Sequence, residues 1–120
     1  MNKLQDLDML TKDDELALNF LNDRKDHMVR QTVEWAKTNT GSWNRSGLIT
    51  LSKKILEAFS QLDALPELIN LPAIRKIAND GSLSLFHTAG VIHAQSRPQA
   101  PVQLILTGHY DTVFPSGTFE

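Results

Sequence analysis

Residues 102–107, Val-Gln-Leu-Ile-Leu-Thr, are nearly continuous in apolar side chains. A strand with one wet face alternates apolar and polar residues, whereas an unbroken run is the pattern of a strand buried on both faces. Such a strand needs a covering layer on each side and a neighbour for its backbone groups. The expected fold is therefore α/β: N-terminal helices followed by strands of a mostly parallel, incomplete sheet. Only Val-Phe-Pro-Ser-Gly-Thr-Phe-Glu follows the motif at the strand end, too little for a crossover and a neighbouring strand. The expectation is that the neighbours come from another chain, or that these residues begin a longer protein. The uncovered strand edge would then favour self-association.

The first half reads as helix. Thr11 and Asp14 have the spacing of a capping box, and Asp13, Asp14 and Glu15 suit the positive end of a helix dipole. Leu16 and Phe20, then Val29, Val33 and Ala36, form an apolar stripe, with the charged Asn-Asp-Arg-Lys-Asp at 22–26 as a candidate break. Asn39 and Gly41 stop the pattern, and 38–47 reads as a loop. Leu48, Leu51, Ile55, Phe59 and Leu62 then fall on one face of a second helix, with Asn44 or Ser46 as N-cap and Pro66 as its end. Beyond Pro66, prolines and glycines divide the chain into short strand candidates at 67–71, 83–87, 91–95 and 102–107, with a hairpin turn at Ala89-Gly90. No repeat or linker separates a second domain, so residues 1–120 read as one unit.

Composition excludes several classes. A net charge of -2 and basic residues in short pairs (Lys53-Lys54, Arg75-Lys76) leave no footprint for a nucleic acid. No segment reads as a membrane span, and the N-terminal Met-Asn-Lys-Leu-Gln-Asp-Leu-Asp-Met-Leu has acids where a signal peptide needs an apolar core. Zero cysteines exclude disulfides and thiolate metal sites and suit a cytoplasmic protein.

The chemistry concentrates just after the apolar run, in Gly108-His109-Tyr110-Asp111. In extended backbone, residues i and i+2 share a face, about 6.6–6.8 Å apart. His109 and Asp111 should project together while Tyr110 turns away, with Gly108 leaving room for close backbone approach. Ligand sites of open α/β sheets lie at the carboxyl ends of strands. A neutral imidazole is a good zinc ligand, and a nearby carboxylate can orient it and raise its basicity. A His-x-Asp triplet also occurs in ordinary surface loops, where Asp111 would form a turn with Thr112.

The stretch Leu-Ile-Leu-Thr-Gly-His-Tyr-Asp-Thr-Val-Phe-Pro, residues 104–115, resembles the first metal-site motif of the zinc-dependent metallopeptidase and amidohydrolase family. That family includes carboxypeptidase G (glutamate carboxypeptidase), acetylornithine deacetylase, succinyl-diaminopimelate desuccinylase and aminoacylase. Asn-Thr-Gly-Ser-Trp-Asn-Arg-Ser-Gly-Leu, residues 39–48, is similar to the family's lead-in to its second helix. The resemblance covers the chain from about residue 24 and is nearest to the carboxypeptidase G branch. It implies that His109 ligates one zinc of a two-zinc centre and that Asp111 is the catalytically required acid beside it. It implies a substrate that is an N-acyl amino acid or peptide with a free carboxylate. The family's bridging aspartate, Glu-Glu pair and remaining ligands have no counterpart here. The expectation is an N-terminal part of a catalytic domain that is inactive alone and binds zinc weakly.

Other residues have readings of their own. His87 and His93 flank the expected hairpin, but no acid lies near them in sequence; His27 sits in a charged helical stretch. Trp35 reads as core. Trp43 reads as either loop packing or a cleft wall, and Arg45 as a contact for an anionic substrate. Two alternatives compete with the hydrolase: a non-catalytic interaction module with His109 and Asp111 as remnants, and an unrelated small α/β module.

Overall fold

Thr11 and Asp14 make the expected capping box. Asp14 Oδ2 accepts from the Thr11 amide at 2.8 Å and from its hydroxyl at 2.7 Å, while Thr11 Oγ1 accepts from the Asp14 amide at 3.2 Å. In the computed structural model, which describes residues 10–118, this box starts helix α1, Lys12–Ala36. The acidic stretch at the N-terminus, read above against a signal peptide, lies outside the described residues but for Leu10. Residues 22–26 do not break α1. They include no glycine or proline, and Arg24 lies over the Phe20 ring, 4.8 Å from its centroid. The chain divides into two compact units, Met1–Glu34 and Trp35–Glu120. Helix α1 buries none of its residues, and Leu16, Phe20, Val29 and Val33 are exposed.

In the second unit Asn44 caps helix α2, Arg45–Phe59, accepting from Gly47 N at 3.2 Å. Leu48 and Leu51 are buried, and Ile55 and Phe59 half-buried, as the spacing of three and four requires. The helix lies against strand β1, Glu67–Ile69. The helix ends before Leu62, which is exposed.

The remaining strands are β2, Ile74–Ile77; β3, Leu83–Phe86; and β4, Val91–His93. They form two separate two-stranded antiparallel sheets, β1 with β4 and β2 with β3. The expected α/β fold with a mostly parallel sheet is thus overturned; the arrangement is antiparallel α+β. For β2 and β3, connection length supplies the reason. Five residues join β2 to β3, and a parallel pair needs a crossover of a dozen or more. The hairpin turn is at Asn79-Asp80, closed by Gly81 N donating to Ala78 O at 2.9 Å, with Gly81 at φ 82° and Asp80 Oδ1 accepting from Ser82 N at 2.9 Å. The turn expected at Ala89-Gly90 joins strands that pair elsewhere. Gly90, at φ 95°, instead carries the backbone close past Ile69.

The doubly buried strand at 102–107 is also overturned. These residues form no strand, and Val102, Leu104, Ile105 and Leu106 are each more than 80% exposed. A strand persists only where a neighbour takes up its N–H and C=O groups, and among the described residues none lies alongside. No described helix is long and apolar enough to cross a membrane.

Candidate functional site

Two loops distant in sequence meet around Asp111. One, residues 39–44, leads into α2; the other, residues 109–115, follows the exposed apolar run. Gly41 and Thr112 form an isolated parallel bridge, with Thr112 N donating to Thr40 O at 2.8 Å and Ser42 N to Thr112 O at 3.1 Å. Gly41 is needed for this approach, because a Cβ there would collide with the Phe114 carbonyl oxygen.

Asn39 ties the two loops together. Its Nδ2 donates to Pro115 O at 2.8 Å, and its Oδ1 accepts from Gly41 N at 3.1 Å and from Asn44 Nδ2 at 3.0 Å. Asn44 Nδ2 also reaches Asn39 O at 3.0 Å. The residue that caps α2 therefore also shapes the loop, and the two motifs behind the family resemblance are in direct contact.

His109 and Asp111 project together, as the i, i+2 spacing predicts. His109 Nδ1 lies 3.1 Å from Asp111 Oδ1 and 3.0 Å from the Asp111 carbonyl oxygen. Both neighbours are acceptors, so in the neutral ring the proton belongs on Nδ1 and the lone pair on Nε2. The imidazole is exposed, and among the described residues Nε2 has no hydrogen-bond partner. Tyr110 turns the other way, its hydroxyl donating to Gly90 O at 2.9 Å; burial, then the Asp111 charge, raises its pKa. Asp111 Oδ2 accepts from Ser42 Oγ at 2.7 Å, which is the main reason its carboxyl is held below the ordinary range, with His109 adding to the effect.

The pair therefore lies on a loop clamped by a second loop, not at the lip of a covered strand. Gly108 makes no close backbone approach, since a Cβ there would meet nothing within 4 Å. One imidazole with a carboxylate behind it fits one ligand position of a zinc site. No group of three or more His, Cys, Asp or Glu side chains that could hold a metal exists among the described residues, so a complete site does not fit within them.

Ser42 and Asn39 are the site residues that sequence reasoning missed. Ser42 is an ordinary loop serine locally, and its partner lies 69 positions away. Of the other candidates, His93 has an acid after all: β1–β4 register pairs it with Glu67, 3.2 Å from Nδ1 to Oε1. His87 is exposed. Trp43 packs on the β2–β3 hairpin, edge-on to Phe86 at 4.9 Å, with the Lys76 ammonium 4.1 Å from its ring centroid. Trp35 is half-buried, and Arg45 is exposed in the first turn of α2.

Comparisons with protein-family models, curated proteins and solved structures return no match.

Proposed function

We propose that this chain carries the first part of a zinc-dependent amide-hydrolysing centre, with His109 as a metal ligand and Asp111 as the acid that orients it. The observation that carries this reading is the placement of His109 Nδ1 against two acceptors, which turns the Nε2 lone pair to the outside. Carboxylate-backed histidines with one free nitrogen are the usual form of a histidine ligand. Contact between the two loops that resemble the family's motifs adds support. Zinc, when bound, supplies Lewis-acid polarisation of a carbonyl and a water acidic enough to attack it. On this reading the described residues supply neither the other ligands nor the general base. The substrate class is N-acyl amino acids or peptides with a free carboxylate, and Arg45 is a candidate contact for that group.

The test is a zinc titration of the 15N-labelled chain, following the imidazole resonances of all four histidines. His109 should respond first and weakly, and His109→Ala should remove that response without altering His27, His87 or His93. Equal response of all four would sink the reading. The chain alone should not hydrolyse N-acyl amino acids.

A second reading is favoured by the exposure of Val102, Leu104, Ile105 and Leu106. In it the chain is a non-catalytic interaction module, and His109 and Asp111 are remnants. The apolar run then serves association, including self-association.

A further inference from the structure

We propose that Ser42 is a positioning residue for the His109–Asp111 pair, holding the Asp111 carboxylate turned towards His109 Nδ1 so that Nε2 is the ring nitrogen left free. The proposal deepens the zinc-ligand reading and rests on it for its functional meaning, but its geometry stands on its own.

The Asp111 carboxylate has two equivalent oxygens and a soft terminal torsion, and it is only partly buried. Left to water, it would rotate and share its oxygens among solvent and the ring. Ser42 prevents that by taking Oδ2 at 2.7 Å, which leaves Oδ1 facing His109 Nδ1 at 3.1 Å. The serine hydroxyl has one proton and two acceptors in reach, Asp111 Oδ2 and Thr112 O at 3.3 Å. The charged and closer one wins.

Ser42 can do this because its own place is fixed from both sides. Its amide donates to Thr112 O, and the preceding residue forms the bridge to Thr112. Asn39 and Asn44 hold the same turn from behind. Order thus passes from the N-cap of α2 through the 39–44 loop to Ser42, then to Asp111 and to the ring. The Asp111 carbonyl also faces Nδ1, so loss of Ser42 should weaken the preference without abolishing it.

The experiment measures the His109 ring 15N shifts in the full chain at a pH where the ring is neutral. In the wild type Nδ1 should be pyrrole-like and Nε2 pyridine-like. In Ser42→Ala both should move towards the average of the two tautomers, and Ser42→Thr, which keeps the hydroxyl, should restore them. Ser42→Cys, nearly isosteric and a weak donor, repeats the test if the alanine variant fails to fold. The Thr112 and Gly41 amide shifts report that the bridge is intact. Zinc affinity at His109 should fall about 3–10-fold in Ser42→Ala, less than direct loss of an orienting acid.

An unchanged tautomer in Ser42→Ala or Ser42→Cys with the bridge intact would overturn the proposal. A tautomer that follows Ser42 while zinc leaves the wild-type His109 untouched would uphold the positioning role and remove the zinc reading. The two ideas can therefore fail separately.

Discussion

Ser42 and Asp111 are joined by a 2.7 Å hydrogen bond across 69 positions of sequence, and this bond fastens the His-x-Asp motif to the loop that starts α2. Around it stand a backbone bridge, an asparagine clamp and a glycine that leaves no room for a side chain. Each of these gives a measurable consequence.

Gly41→Ala should open the loop contact, because its methyl group would strike the Phe114 carbonyl oxygen, part of the backbone. A loss of about 1–3 kcal/mol is expected. Gly108→Ala is the control, since nothing lies near its position and a change within about 0.5 kcal/mol is expected. Denaturant melts of the two variants, with exchange rates of the Thr112 amide, make the comparison. Equal effects would mean that the bridge is not what holds the motif.

Asn39→Ala removes a donor to Pro115 O and an acceptor for Gly41 N and Asn44 Nδ2 together. The expected cost is about 1–3 kcal/mol, with faster exchange at the Gly41 amide. Asn39→Asp should keep the acceptor for Gly41 N and Asn44 Nδ2 but set a repelling carboxylate oxygen against Pro115 O in place of the donor. If the aspartate variant is as damaged as alanine, the donor to Pro115 is the important half of the clamp.

Acid should loosen the motif. The Asp111 carboxyl is held below its ordinary range, chiefly by the Ser42 hydroxyl. A depressed folded value means that the stabilisation is fully present above the unfolded aspartate pKa of about 3.9 and is lost as pH falls through the lower, folded value. Chemical shifts at Ser42 and Thr112 should therefore hold steady down to that range and change below it. In Ser42→Ala the midpoint should rise towards the ordinary value. A wild-type midpoint above 3.9 would contradict the tether.

The apolar run should drive association. Ile105→Asp and Leu106→Asp replace side chains that are 83% and 86% exposed, so monomer stability should change by no more than about 0.5 kcal/mol. Sedimentation should show concentration-dependent association in the native sequence that these variants reduce. A native chain that stays monomeric at high concentration would remove this prediction and weaken the interaction-module reading with it.

Much of this protein was legible from local pattern. Thr11 with Asp14, Asn44 as a cap, and Leu48 and Leu51 on one face specify helix ends and a buried stripe through contacts within four residues of each other. The shared side of His109 and Asp111 likewise follows from the geometry of extended backbone two residues apart. Pairing did not follow, because a strand's partner is chosen by what backbone is within reach, as when β1 pairs with β4 from across the β2–β3 hairpin. The five residues between Ile77 and Leu83 force an antiparallel hairpin, while 102–107, with the most strand-like side chains in the chain, finds no neighbour among the described residues and stays exposed. Ser42 and Asn39 gained their roles only when the chain brought residues 39–44 against 109–115. A serine's sequence neighbours carry no record of which carboxylate it will meet, and that choice belongs to the tertiary structure.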